Sequence, residues 1–357
     1  MNTDKTTSTG IDRVVIKGFE LNIIHKAILM DNSNVDYYEK AEGYPVKEWT
    51  NEAEYRNIGF LKITDDSLFK LLRLGVANNK KGNLYYASLE ITINDKEAKN
   101  LIPMTIKEFL LKIDLIKQHL KNQYGLYIDF TNAYFDELEV NKTAIMDRSF
   151  IEYDYLLTNI GYLIKGRYTI ATHREHEQLK QLEFYNKSIK GKVYDKSRQL
   201  QEQFKLTLDK QYMRIEYCFK DNAKIINTFA TRSIYKLTDE DIESFLNKQI
   251  YKELVKPLKE YIKASNKQLL SMAKQIKKED KRKWISLFIS QAIAERTNKN
   301  NGSLSLVIDI EQLKAVIKQL SPVNYAKSMK RLESTFNKYP YLHDNFIKLD
   351  EITNKFL

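Results

Sequence analysis

Three short stretches hold the residue types that could move a phosphoryl group. Tyr185 and Lys187 stand in the run Leu182–Ser188, Tyr194 and Lys196 in Lys192–Lys196, and Arg214 and Glu216 in Met213–Glu216. A phenol is a weak nucleophile because its free pKa is about 10, so attack on a phosphodiester needs a cation that stabilises the phenolate. A lysine two residues on can supply such a charge, and a metal ion can neutralise the phosphoryl oxygens and the leaving 3′ oxygen. The Tyr-x-Lys tripeptide also begins at Tyr38, Tyr185, Tyr261 and Tyr325. Spacing alone therefore leaves both Tyr194 and Tyr185 open as the nucleophile.

Other chemistries find less support. His173 and His176 are three residues apart, a spacing that on a helix would place both on one face with Glu177 beside them as metal ligands. No His-x-His pair occurs. The single cysteine, Cys218, lies in a strand-like apolar run and reads as a small buried residue; alone it makes neither a disulfide nor a cysteine zinc site, which fits a reducing cytoplasm. The chain has 11 glycines and 5 prolines, and neither Gly-x-Gly-x-x-Gly nor Gly-x-x-x-x-Gly-Lys is present, so no nucleotide cofactor is expected.

At 357 residues the chain exceeds the usual reach of one hydrophobic core, and two domains are expected, residues 1–237 and 238–357. No apolar run is long enough to span a bilayer and the first ten residues are polar, which points to a cytoplasmic protein with no membrane partner. The net charge of +11 is concentrated: Lys248–Lys283 alone carries an excess of eight positive charges. Within it Lys274, Lys277, Lys278, Lys281, Arg282 and Lys283 form a basic stripe suited to a nucleic-acid backbone.

Something must position these groups. β-Branched and aromatic residues mark strands over Arg13–Ile24, Ile58–Thr64, Leu84–Ile93, Gly125–Phe130, Phe135–Ala144, Tyr162–Thr172 and Met213–Phe219. Thr105 and Glu108 form a capping box before an apolar face of Phe109, Leu110, Ile113, Ile116 and Leu120, and Asp147–Ile160 and Lys196–Leu206 read as further helices. Beyond residue 237 the period is helical, broken by an exposed turn at Asn298–Ser303 and a short strand at Leu304–Ile308. The expected fold is α+β, a largely antiparallel central sheet flanked by helices, with a mostly α-helical C-terminal domain.

The order of four stretches resembles the rolling-circle replication initiators, in particular the filamentous-phage replication endonucleases and the trans-acting plasmid Rep class. Ala87–Thr92 is similar to the family's first catalytic strand, with Glu90 as its acid. Leu138–Thr143 is similar to the second, with Glu139. Val193–Lys196 resembles the Tyr-x-Lys of the nucleophile, with Gln199 or Glu202 in place of the usual glutamate, and Met213–Glu216 resembles the Arg-hydrophobe-Glu strand that follows. The resemblance covers roughly residues 84 to 220.

It implies a tyrosine nickase that cuts one strand at an origin through a 5′-phosphotyrosine, by Tyr194 or else Tyr185, with Lys196 assisting the phenolate. Arg214 and Lys192 would contact phosphate. Many relatives hold metal through a His-hydrophobe-His pair, absent here, so the ligands would be Glu90, Glu139 and Glu216, with His173 or His176, a set suited to Mg²⁺ or Mn²⁺. DNA, as a single-stranded or cruciform origin with flanking duplex, would be the partner, with a host helicase alongside. A mobilisation relaxase uses the same chemistry, and a DNA-binding replication factor without a nucleophile would keep only the basic stripe.

Overall fold

The computed structural model describes residues 7–38, 56–64, 67–79, 82–92, 101–297, 309–323, 325–326, 328–330 and 345–357. The N-terminal two thirds run β1 (Thr7–Lys17), β2 (Glu20–Ile23), α1 (Lys26–Met30), β3 (Val35–Tyr38), β4 (Arg56–Thr64), β5 (Leu71–Asn79), β6 (Gly82–Thr92), α2 (Ile106–Tyr124), β7 (Leu126–Asp129) and β8 (Tyr134–Met146). They continue with α3 (Asp154–Ile164), β9 (Thr169–Glu175), β10 (Gln178–Tyr185), β11 (Ile189–Asp195), α4 (Lys196–Phe204), β12 (Gln211–Phe219) and α5 (Asn222–Phe229). Helices follow: α6 (Asp239–Ile250), α7 (Lys256–Glu279), α8 (Trp284–Thr297), α9 (Ile310–Leu320) and α10 (Asn345–Phe356). The fold is α+β, as expected.

Ten strands form one antiparallel sheet in the order β3-β4-β5-β6-β1-β8-β12-β11-β10-β9, and β2 pairs with β7 in a small second sheet. The period of two divides the sheet into unlike faces. On one, Leu138 and Val140 of β8, Ile215, Tyr217 and Phe219 of β12, Val193 of β11 and Leu182 and Phe184 of β10 are buried. Helices α3, α5 and α6 pack over this face, and a chain of edge-on and tilted ring contacts runs Phe184, Tyr217, Phe245, Phe219. Gly191 is required here, since a Cβ would fall 2.2 Å from the Phe184 ring.

Helix α2 forms as its sequence dictates. The Thr105 and Glu108 box closes its N-terminus, Gly125 ends it at φ 61°, and Phe109, Ile113, Ile116 and Leu120 are buried. Such a cap contributes about 1 kcal/mol, and each buried apolar side chain about 2 kcal/mol. Helices α6 and α7 join through a π-helical turn, Tyr251–Val255, that ends two residues before Pro257; the wider turn accommodates a residue with no N–H to donate.

Some expected elements differ. Arg13–Ile24 is two strands because Gly18 takes φ 74° between them. Tyr162–Ile164, expected to open a strand, instead completes α3, where Ile164 is buried, and the strand begins at Thr169. The turn and strand expected at 298–308 lie outside the described residues. Among the described residues there are two apolar cores: Ile242, Leu246, Ile250, Leu254 and Leu258 join the core of the sheet, as do Leu349, Ile352 and Phe356 of α10. The second core is built by Leu269, Ala273, Phe288, Leu313 and Ile317 of α7, α8 and α9. The chain beyond Thr238 thus begins and ends on the first core.

Candidate metal and tyrosine site

The other face of the sheet is polar where β1, β8, β12 and β11 meet. Tyr194 stands opposite Arg214 and Arg214 opposite Thr143, while one row away Lys192 stands opposite Glu216 and Glu216 opposite Asn141. Same-face neighbours of this kind have Cβ atoms close enough for side-chain contact across strands and along the diagonal. Asp195 ends β11 and caps α4 by accepting the Arg198 N–H at 2.9 Å, so Tyr194 is the last inward strand residue and Lys196 the first of the helix.

Asp12 enters through a bulge. Ile11 pairs with Val140 and Arg13 with Glu139, which leaves Asp12 as the extra residue of β1. Its carboxylate comes together with those of Glu139 and Glu216, one oxygen of each lying within 4.8 Å of the others. Arg214 is fully buried and binds this arrangement together: Nε donates to Thr143 Oγ1 at 2.7 Å, Nη1 to Asp12 Oδ2 at 3.3 Å and Nη2 to the Leu101 carbonyl at 2.9 Å. Gly10 makes that last contact possible. A Cβ there would sit 2.3 Å from the Met104 carbonyl oxygen, so only glycine lets Leu101–Met104 pass so close to β1, where Ile11 and Met104 exchange backbone hydrogen bonds.

The Tyr194 hydroxyl donates to Glu216 Oε2 at 3.2 Å, and Lys192 Nζ forms a salt bridge with Glu216 Oε1. Lys196 donates to Gln199 Oε1 at 2.8 Å and lies 5.9 Å from the centroid of the Tyr194 ring. Burial and the neighbouring Glu216 charge push the Glu139 carboxyl up to about 8. Burial alone would raise Glu216 as well, but the Lys192 charge and hydrogen bond hold it below the ordinary carboxylate value. Burial, then the Glu216 charge, raises the Tyr194 phenol well above its usual value. Burial, then Arg214, lowers the Lys196 amine to about 7. Lys192 is raised: burial would lower it, and Glu216 and Glu139 more than offset that.

An all-oxygen set of three carboxylates is the chemistry Mg²⁺ or Mn²⁺ accepts. Beside it the Asn141 Nδ2 is buried with no hydrogen-bond partner, a donor left for an oxygen of a ligand or water. The residues present therefore fit a divalent cation.

Of the residues singled out in the sequence, Tyr194, Lys196, Lys192, Arg214, Glu139 and Glu216 meet at this site. Glu90 does not join the register of the cluster: it pairs with Val15, two strands and one row from Glu139, roughly 12 Å away by strand spacing. The third acid of the cluster is Asp12, which the sequence does not single out: it stands beside Arg13 in Ile11–Ile16, and the bulge that turns it to this face comes from pairing with β8. His173 is on β9 and not on a helix, exposed and 3.6 Å from Glu183, and His176 sits in the following turn at φ 46°. Tyr185 is 39% exposed, and by register it lies on the next strand, four residues along from Tyr194, roughly 14 Å away. Tyr194 itself is 6% exposed. Glu202 is engaged by Lys180 and Arg198.

In the basic stripe, Lys274, Lys278, Lys281, Arg282 and Lys283 are exposed, on or just beyond the second half of α7. Lys277 is not free in the same way: it donates to the Leu320 carbonyl and lies 5.4 Å from the Trp284 ring centroid, tying α7 to α8 and α9. The Cys218 thiol is buried and pushed up to about 11 by that burial and by Glu139. No helix among the described residues is long and apolar enough to cross a membrane.

No protein-family model matches the chain. No curated protein matches it either. Among solved structures, a rolling circle replication initiator protein from Geobacillus stearothermophilus is aligned over 62% of this chain and 77% of its own, with 14% identity and a TM-score of 0.25. A likeness that slight carries no argument about fold or function.

Proposed function

We propose that the protein is a metal-dependent DNA nickase and strand transferase that starts rolling-circle replication, with Tyr194 as its nucleophile. One observation carries the reading: the Tyr194 hydroxyl is hydrogen-bonded to Glu216, and Glu216 belongs to the three-carboxylate cluster. Attack forms the bond from Tyr194 Oη to phosphorus and breaks the bond from phosphorus to the 3′ oxygen. The phenol proton passes toward Glu216, and the leaving 3′ oxygen takes a proton from water to become the hydroxyl that primes synthesis. A divalent cation on Asp12, Glu139 and Glu216, when bound, supplies charge neutralisation at the phosphoryl and leaving oxygens.

Lys196 provides the second positive charge near the phenolate. Arg214, with its nitrogens turned to Thr143, Asp12 and Leu101, acts as a positioning residue for the acids rather than a phosphate contact. The exposed basic residues of α7 and the turn after it bind DNA backbone outside the site. Tyr194 is nearly buried, so DNA reaches its hydroxyl only after neighbouring groups move aside. Mobilisation relaxation would use the same residues.

The reading is tested by incubating the full chain with single-stranded DNA and Mn²⁺ and asking whether the new 3′ ends are extended by a polymerase. Extension from nicks that need metal supports it; binding without cleavage under Mg²⁺ or Mn²⁺ refutes it.

A further inference from the structure

The acidic cluster already has a cation. Lys192 Nζ sits on Glu216 Oε1 while Tyr194 occupies Oε2, so both oxygens of the central carboxylate are engaged. Burial differs across this pair: the Lys192 side chain is 23% exposed and that of Glu216 only 3%. Lysine is therefore the partner with a way out. Its register row leads outward to Glu183 on β10, whose Oε1 is held by Lys190 at 2.8 Å and whose Oε2 faces His173 at 3.6 Å. A Lys192 ammonium released from Glu216 finds its neighbouring acid already taken, on a half-open polar face where a nucleic-acid phosphate would meet it.

We propose that Lys192 holds the place of the divalent cation in the resting site, and that metal binding moves its ammonium from Glu216 to the DNA backbone, so that metal and DNA bind with positive coupling. The inference rests on the metal site proposed above and adds a role its geometry does not by itself require. A dication bound to Glu216 Oε1 would lie within a few ångströms of the ammonium, and like charges at that separation in a buried site exclude each other. Lysine suits such an exchange because its ammonium is a compact point charge on a flexible stem. The coupling must be reciprocal: whatever DNA gains from metal, metal gains from DNA.

The test measures Mn²⁺ binding to the full chain by calorimetry, and oligothymidylate binding with and without Mn²⁺. Lys192→Gln keeps a donor to Glu216 without the charge, Lys192→Met removes both, and the glutamine variant carries the test if the methionine variant does not fold. Expected are about tenfold tighter Mn²⁺ binding in the variants, and in the unchanged protein a gain in oligothymidylate affinity on adding Mn²⁺ of about fivefold that Lys192→Gln abolishes. Tight Mn²⁺ binding by the variants and none by the unchanged protein would also support the exchange. Equal or weaker Mn²⁺ binding in both variants overturns it while leaving the metal site in place; no Mn²⁺ binding by any of the three proteins overturns the metal site and the exchange together.

Discussion

Tyr194 and Glu216 lie on adjacent antiparallel strands, one row out of register, and meet along the diagonal at 3.2 Å. The direct partners, Arg214 for Tyr194 and Lys192 for Glu216, are both cations, so the phenol and the carboxylate are each flanked by positive charge. That crossed arrangement puts a phenol, a carboxylate and two cations on two neighbouring strands.

Arg214 holds the site together from within, and removing one partner of a buried pair leaves an uncompensated charge. Arg214→Ala is expected to lower the stability of the whole chain by about 3–5 kcal/mol, with Arg214→Lys recovering only part because a single ammonium cannot serve Thr143, Asp12 and Leu101 together. Urea unfolding midpoints check this; an alanine variant as stable as the parent would show that the three contacts contribute nothing.

Lys196 works against the fold. Its amine is lowered from 10.5 to about 7, so between those values the folded chain binds fewer protons than the unfolded one, and its contribution to stability rises with pH across that window. Below pH 7 the penalty is at its full value. Lys196→Met is therefore expected to raise the Tm by a few degrees, more at pH 6 than at pH 9, while abolishing cleavage. Thermal scans at the two pH values decide; a gain no larger at pH 6 would contradict the assignment.

Gly10→Ala forces a Cβ against the Met104 carbonyl and should loosen the segment that Arg214 grips through Leu101. A loss of about 1–3 kcal/mol is expected, with increased proteolysis near residues 101–104. Unchanged Tm and cleavage pattern would mean that the close approach is dispensable.

The basic turn is the place to look for non-specific DNA binding. Replacing Lys281, Arg282 and Lys283 by Ala should weaken binding to all sequences alike and reduce the slope of log affinity against log salt by roughly 0.7–0.9 for each phosphate no longer neutralised. An unchanged slope would place the DNA elsewhere.

Much of this fold is legible in the sequence where local and tertiary demands agree. The capping box at Thr105 and Glu108 and the apolar stripe after it lead directly to α2, and the β-branched run around Glu139 is a strand. The strand Leu71–Asn79 is hidden because its leading Leu-Leu-Arg-Leu has no clean alternation, and Gln178–Tyr185 because a register shift between Leu179 and Gln181 breaks its period. Glu139 and Glu216 can be named from their strands, yet Asp12 cannot: whether a β1 residue faces the cluster depends on a bulge, and a bulge is set by pairing with β8 and not by the residues beside Asp12. Tyr162–Ile164 is strand-like in composition but is drawn into α3 by the burial of Ile164.

The identity of the nucleophile can be read out by mixing the full chain with a random-sequence single-stranded DNA pool and Mn²⁺, denaturing, and mapping any protein–DNA adduct by mass spectrometry. A covalent adduct is expected on the peptide containing Tyr194, absent in Tyr194→Phe and retained in Tyr185→Phe. An adduct on Tyr185, or DNA bound with no adduct under either Mn²⁺ or Mg²⁺, would overturn Tyr194 as the attacking group.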